Sequence, residues 1–110
     1  MTHPQPPASP QAKILYRELK KRGINCILEF WDEFKHIDIT IPEAKINIEL
    51  NGSPHYLKPQ QIMADLKRAK YSAKDNDFGT ISIPNYFIDK HLEEVAEAIA
   101  QVAKSKLQNK

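Results

Sequence analysis

From His36 to Leu50 the chain alternates apolar and polar residues with a period of two, interrupted once by Pro42-Glu43-Ala44. That period puts Ile37, Ile39 and Ile41 on one face of an extended strand, and Ile46, Ile48 and Leu50 on the matching face of the next. Two such strands joined by a short loop predict an antiparallel hairpin. A slip of one residue would turn every isoleucine to the wrong side, so the pattern also fixes the register. The opposite face then carries Asp38 and Thr40 from the first strand, with Asn47, Glu49 and Asn51 from the second. Aligning the isoleucines sets Asp38 opposite Glu49, with β-carbons roughly 5 Å apart.

The flanking sequence supplies helices and two further strands. Ser9-Pro10 predicts a helix start, with serine as N-cap and proline at the first helical position. Ile14, Leu15 and Leu19 predict its apolar stripe, and Gly23 its end. Asn25 to Trp31 reads as a strand, with Ile27, Leu28 and Phe30 as residues for burial. After the break at Asn51-Gly52-Ser53-Pro54, a helix is expected from Pro59 to about Lys74. Ile62, Leu66, Ala69 and Ala73 form its buried stripe, beside a polar stripe of Gln61, Asp65, Arg68 and Ser72. Thr80 to Ile83 predicts a short strand stopped by Pro84. A last helix, capped by Asp89, would bury Leu92, Val95, Ile99 and Val102. The order αβββαβα describes an α/β fold: a small mixed sheet, with the hairpin at its centre, flanked by helices.

A chain of 110 residues is one domain by length,. Residues 9–107 are expected to form it, with the Pro- and Gln-rich residues 1–8 as a disordered leader. No apolar run reaches the ~18 residues of a membrane span, and the first residues lack the order of a secretory signal. The single cysteine, Cys26, cannot form an internal disulfide, which fits a reducing, cytoplasmic setting,. The net charge of +2 does not by itself mark a nucleic-acid binder,. Basic residues do cluster, at Lys20-Lys21-Arg22 and at Lys67, Arg68, Lys70 and Lys74. Either cluster can be a solvated helix face.

Two carboxylates facing each other across strands repel, and strand formation does not reward that arrangement. A divalent cation removes the penalty, since hard ions such as Mg2+ take carboxylate oxygen. Asp38 and Glu49 are therefore a candidate metal site; the competing reading pairs each acid with a nearby cation, Lys45 being the obvious one. His55 in its loop, and Asp65 with Arg68 on a helix, are weak signals one by one.

Their order is more informative. Asp38, then Glu49-Leu50-Asn51-Gly52, then His55, then Asp65-Leu66-Lys67-Arg68, then a glycine before a short strand, resembles the very-short-patch-repair (Vsr) endonucleases and their bacterial relatives. These are a branch of the restriction-endonuclease-like superfamily. The resemblance runs from about Ser9 to Ile99. It implies that Asp38 binds metal, that Glu49 is the second acid, that His55 acts near the scissile phosphate, and that Asp65 completes the site with Arg68 beside it. It also implies a Mg2+ or Mn2+ cofactor and DNA as substrate and partner, with Asn51, Gln61 and Arg68 supporting the DNA backbone. One short chain makes one site, so cutting both strands would take a homodimer or two visits.

Two positions depart from the pattern. The branch carries a glutamate in the first turn of the opening helix, where this chain has Ala12, preceded by Gln11. Glu18 and Glu29 are the nearby acids that could stand in for it. Asn51 stands where the wider superfamily has a lysine. Ala12 also favours a second expectation, a non-cutting relative that serves as a nucleic-acid-binding or protein-interaction module. Restoring glutamate at position 12 is expected to be tolerated at a helix N-terminus and to raise activity.

Overall fold

A computed structural model describes residues 8–31, 33, 36–51, 64 and 79–108. Helix α1 (Pro10–Lys21) starts as the sequence predicts: the Ser9 hydroxyl accepts from the Ala12 N–H at 3.1 Å, and Pro10 opens the first turn,. It ends at Gly23, whose φ of +81° suits a residue without a β-carbon,. The Gly23 N–H bonds the Lys20 carbonyl at 3.0 Å, and the Ile24 N–H bonds the Leu19 carbonyl at 3.0 Å. That pair of bonds is the Schellman closure, here with Leu19 and Ile24 both buried,.

Strands β1 (Ile27–Trp31), β2 (His36–Ile41), β3 (Ile46–Asn51) and β4 (Gly79–Pro84) form one sheet in the order β1-β2-β3-β4. The first two pairings are antiparallel and β3 runs parallel to β4, so the sheet is mixed, with the hairpin at its centre. Ile39 pairs with Ile48 and Ile41 with Ile46, the register predicted from the isoleucines. A 3-10 turn at Pro42–Ala44 closes the hairpin, and Lys45 enters β3 in left-handed conformation.

The last helix, α2 (Asn85–Gln108), begins directly after β4 and breaks its regular geometry at His91. Helix α1 lies over β1 and β2, while α2 lies over β3 and β4 and packs against α1. The core between helices and sheet holds Leu15 and Leu19, the hairpin isoleucines Ile39, Ile41, Ile46 and Ile48, and Val95, Ile99 and Val102. Ile37 is likewise buried. The helix expected over 59–74 lies outside the described residues except for Ala64, which is helical and exposed.

Several expectations are corrected. Leu15 and Leu19 face inward on α1 as expected, but Ile14 is exposed and the third inward residue is Ala12. Ile27 and Phe30 are exposed because β1 is an edge strand, covered from fewer sides than β2 and β3. Asp89 does not cap the last helix, which starts at Asn85; its carboxylate instead accepts from the Gln11 amide at 3.3 and 3.4 Å. Ala12 is 0% exposed, so a glutamate there would enter packed protein, not solvent.

Candidate active site

The sheet face opposite the isoleucines carries the polar set of the hairpin. Thr40 is buried there, its hydroxyl placed between the Asn47 side-chain oxygen and the Ile46 carbonyl. One row further along β2 comes Asp38. Continuing the observed register sets it opposite Glu49 on β3, and Glu49 in turn pairs with Ser82 on β4. On the other side, the β1 register sets Glu29 opposite Asp38. The row thus crosses the whole sheet as Glu29, Asp38, Glu49 and Ser82.

Asp38 is anchored. Its Oδ2 accepts from the main-chain N–H of Leu50 at 2.7 Å, so a strand backbone holds this carboxylate. An ionised carboxylate offers about four acceptor positions. One bond to Leu50 leaves the other oxygen available to a ligand.

Asn51 follows Glu49 on the same face. Its Nδ2 donates to the Ser82 hydroxyl at 2.7 Å, and its Oδ1 is buried without a hydrogen-bond partner among the described residues. Glu29 has a φ of +56°, a conformation that an L-residue with a side chain adopts only against steric resistance,. Burial, and then the neighbouring Asp38, push its carboxyl above the ordinary value, while His36 acts in the opposite direction. His36 shares this face; its ring lies 4.9 Å from that of Trp31, and its Nε2 is buried without a partner among the described residues.

The sequence reading named Glu29 only as a substitute acid and passed over His36. Both were legible. His36 continues the alternation of Asp38 and Thr40 by one step, and Glu29 joins the row once β1 is paired to β2. Glu18, the other substitute, is occupied elsewhere. It bonds Arg22 at 2.7 Å and Lys21 at 3.1 Å, and these partners hold its carboxyl below the ordinary value. Arg22 also reaches Glu97 at 3.0 Å and so ties the end of α1 to α2, whereas Lys21 bonds Glu18 and Lys20 lies over the Tyr16 ring. His55, Gln61, Asp65 and Arg68, with the second basic cluster, lie outside the described residues.

The donors present here suit a hard cation. Two carboxylates face each other across a strand pair, and a buried amide oxygen two residues beyond Glu49 lacks a donor among the described residues,. No group of three or more His, Cys, Asp or Glu side chains is arranged around a common point among the described residues. A Mg2+ ion does not require one, since it commonly keeps several waters and takes one or two carboxylates.

No family model matches the sequence, and no curated protein matches it. A solved structure does: the Homing Endonuclease I-Bth0305I Catalytic Domain aligns with a TM-score of 0.58 and 13% identity, covering 91% of this chain and 99% of that one. At that identity the likeness is one of architecture, and the chain has the α/β fold of an endonuclease catalytic domain,.

Proposed function

We propose that this protein is a divalent-metal-dependent DNA endonuclease of the Vsr-like type, hydrolysing phosphodiester bonds and nicking one strand at a time. The observation that carries the reading is the Asp38 carboxylate, pinned to the Leu50 N–H beside Glu49 on the polar face of an endonuclease-like sheet. Asp38 and Glu49 would hold Mg2+ or Mn2+. When bound, such an ion polarises a phosphoryl oxygen and lowers the pKa of a coordinated water. His55 would exchange a proton with the attacking water or the leaving oxygen, its ordinary pKa of ~6.5 suiting either task. Asp65 would orient His55 or the water. Gln61, Arg68 and the lysines near it would grip the DNA backbone, with Asn51 supporting at the end of β3. The roles of His55, Asp65, Gln61 and Arg68 rest on the sequence resemblance.

The setting that goes with this reading is cytoplasmic, and a homodimer would allow both strands to be cut. No helix among the described residues is long and apolar enough to cross a membrane. The test is nicking of supercoiled plasmid by purified protein in Mg2+ or Mn2+, with Asp38→Asn as the control.

One observation favours a second reading, a non-cutting module that binds nucleic acid or protein. Ala12 stands where the resemblance implies a catalytic-site glutamate, and it is fully buried. Retained DNA binding without cleavage in either metal, across several DNA forms, would establish that reading in place of the first.

A further inference from the structure

We infer that the side-chain oxygen of Asn51 is a third ligand for the cation at Asp38 and Glu49, held in place by Ser82. The inference rests on the metal-dependent reading of the site and gives Asn51 a different task from the DNA-backbone support that the sequence suggests.

Three observations converge on it. The Asp38 Oδ2 bonds the N–H of Leu50, which places that carboxylate against the β3 main chain between residues 49 and 51. The side chains of Glu49 and Asn51 leave the strand on the same face, one on either side of that point,. The Asn51 amide also turns back toward Glu49. Its Nδ2 donates to Ser82 Oγ at 2.7 Å, and Ser82 is the register partner of Glu49. The end of the amide that remains is Oδ1, buried and without a partner among the described residues.

A buried oxygen with no donor is destabilising, and a native chain retains one where an ion, a water or a substrate completes it. The chemistry selects among these. A phosphate oxygen is an acceptor and has no proton to offer an amide oxygen, so Oδ1 is poorly matched to the DNA backbone. A hard cation beside two carboxylates takes amide oxygen readily. Ser82 is then a positioning residue, holding the amide through its Nδ2.

Calorimetric titration of Mn2+ into the full chain without DNA tests this, with circular dichroism and melting curves to verify folding of each variant. Wild type should bind Mn2+, and Asp38→Ala should abolish binding. Asn51→Ala should weaken it about tenfold or more, and Ser82→Ala by a smaller factor. Asn51→Asp, which keeps the oxygen and the shape and adds charge, should bind as tightly as wild type or tighter. Wild-type affinity in a folded Asn51→Ala, with Asp38→Ala still inactive in binding, would overturn the assignment of Asn51 and leave the metal reading standing. Weaker Mn2+ binding by a folded Asn51→Asp would overturn it too, because a coordinating oxygen that gains negative charge holds a hard cation at least as tightly. Absence of Mn2+ binding by wild type would remove both the metal reading and the assignment.

Discussion

The carboxylate of Asp38 accepts the main-chain N–H of Leu50 across the central strand pair at 2.7 Å. A side chain proposed to bind metal therefore also satisfies a backbone donor. The two tasks use different properties of the group. Satisfying Leu50 needs an acceptor oxygen, whereas holding a cation needs negative charge. Substitutions at this position can separate them.

Asp38→Asn should abolish Mg2+- and Mn2+-dependent nicking while keeping the melting temperature near that of wild type, because the amide oxygen can still accept from Leu50. Asp38→Ala should abolish nicking and also leave that N–H unsatisfied, a loss of about 1–3 kcal/mol. In a domain of this size ~1 kcal/mol corresponds to roughly 4–8 °C. DNA binding should survive both changes, since affinity for the backbone would come from Arg68 and its lysines. Equal melting temperatures for the two variants would show that the Leu50 bond contributes nothing to stability.

The hairpin was legible because its alternation is strict and one face must be buried. Asp38 and Glu49 followed from that alone. Leu15 and Leu19 were legible on the inward face of α1, but its third member was not, since Ile14 adjoins Leu15 and Ala12 carries little hydrophobic signal, yet Ala12 is the inward residue. The exposure of Ile27 and Phe30 depended on which strand lies at the edge, a property of pairing that composition does not encode. The early start of α2 was hidden by Pro84 and Asp89, which imitate a strand stop followed by a cap. His55, Asp65, Gln61 and Arg68 remain legible in sequence only.

Glu29 combines a left-handed backbone with a carboxyl held above its ordinary value by burial and by Asp38. Glycine relieves the backbone and alanine does not, so Glu29→Gly should be more stable than Glu29→Ala by about 1 kcal/mol. The charge effect has the opposite sign to most acids. Because the folded carboxyl retains its proton to higher pH than the unfolded chain does, its contribution is fully present below the ordinary value of 4.5 and is lost as pH rises through the folded value,. Glu29→Gln should therefore raise stability near neutrality and flatten that part of the pH profile. A melting temperature lowered at neutral pH by Glu29→Gln would contradict this.

Arg22 gives the usual sign. It is the first cause holding both Glu18 and Glu97 below their ordinary values. The stability these pairs contribute is present above the unfolded carboxylate value and is lost as pH falls through the folded values. Arg22→Gln should lower the melting temperature near neutrality and matter progressively less as pH falls through the folded values and the carboxyls take up protons. Added salt should narrow the neutral-pH difference, because all three side chains reach solvent,. A pH-independent difference would mean that Arg22 acts through packing of its stem.

Ala12→Glu tests the departure from the Vsr-like pattern, and the structure reverses the outcome expected from sequence. A carboxylate at an exposed helix N-terminus is favoured by about 0.3–1 kcal/mol. Ala12, however, is fully buried on the same stripe as Leu15 and Leu19. Four extra heavy atoms and a charge would have to be placed where a methyl group now fits. Burying a polar group without partners costs about 1–3 kcal/mol, and an ionised one more. The expected result is a lower melting temperature for Ala12→Glu, a smaller loss for Ala12→Gln, which has similar size without the charge, and no gain in nicking rate. Added Mn2+ supplies the decisive comparison. If residue 12 opened toward the cation, the new carboxylate would join the coordination and Mn2+ would stabilise Ala12→Glu more than it stabilises wild type. Packing against the core instead predicts a Mn2+-induced rise in melting temperature no larger than that of wild type. A larger rise, together with faster nicking, would place position 12 in the metal site and restore the sequence-based expectation.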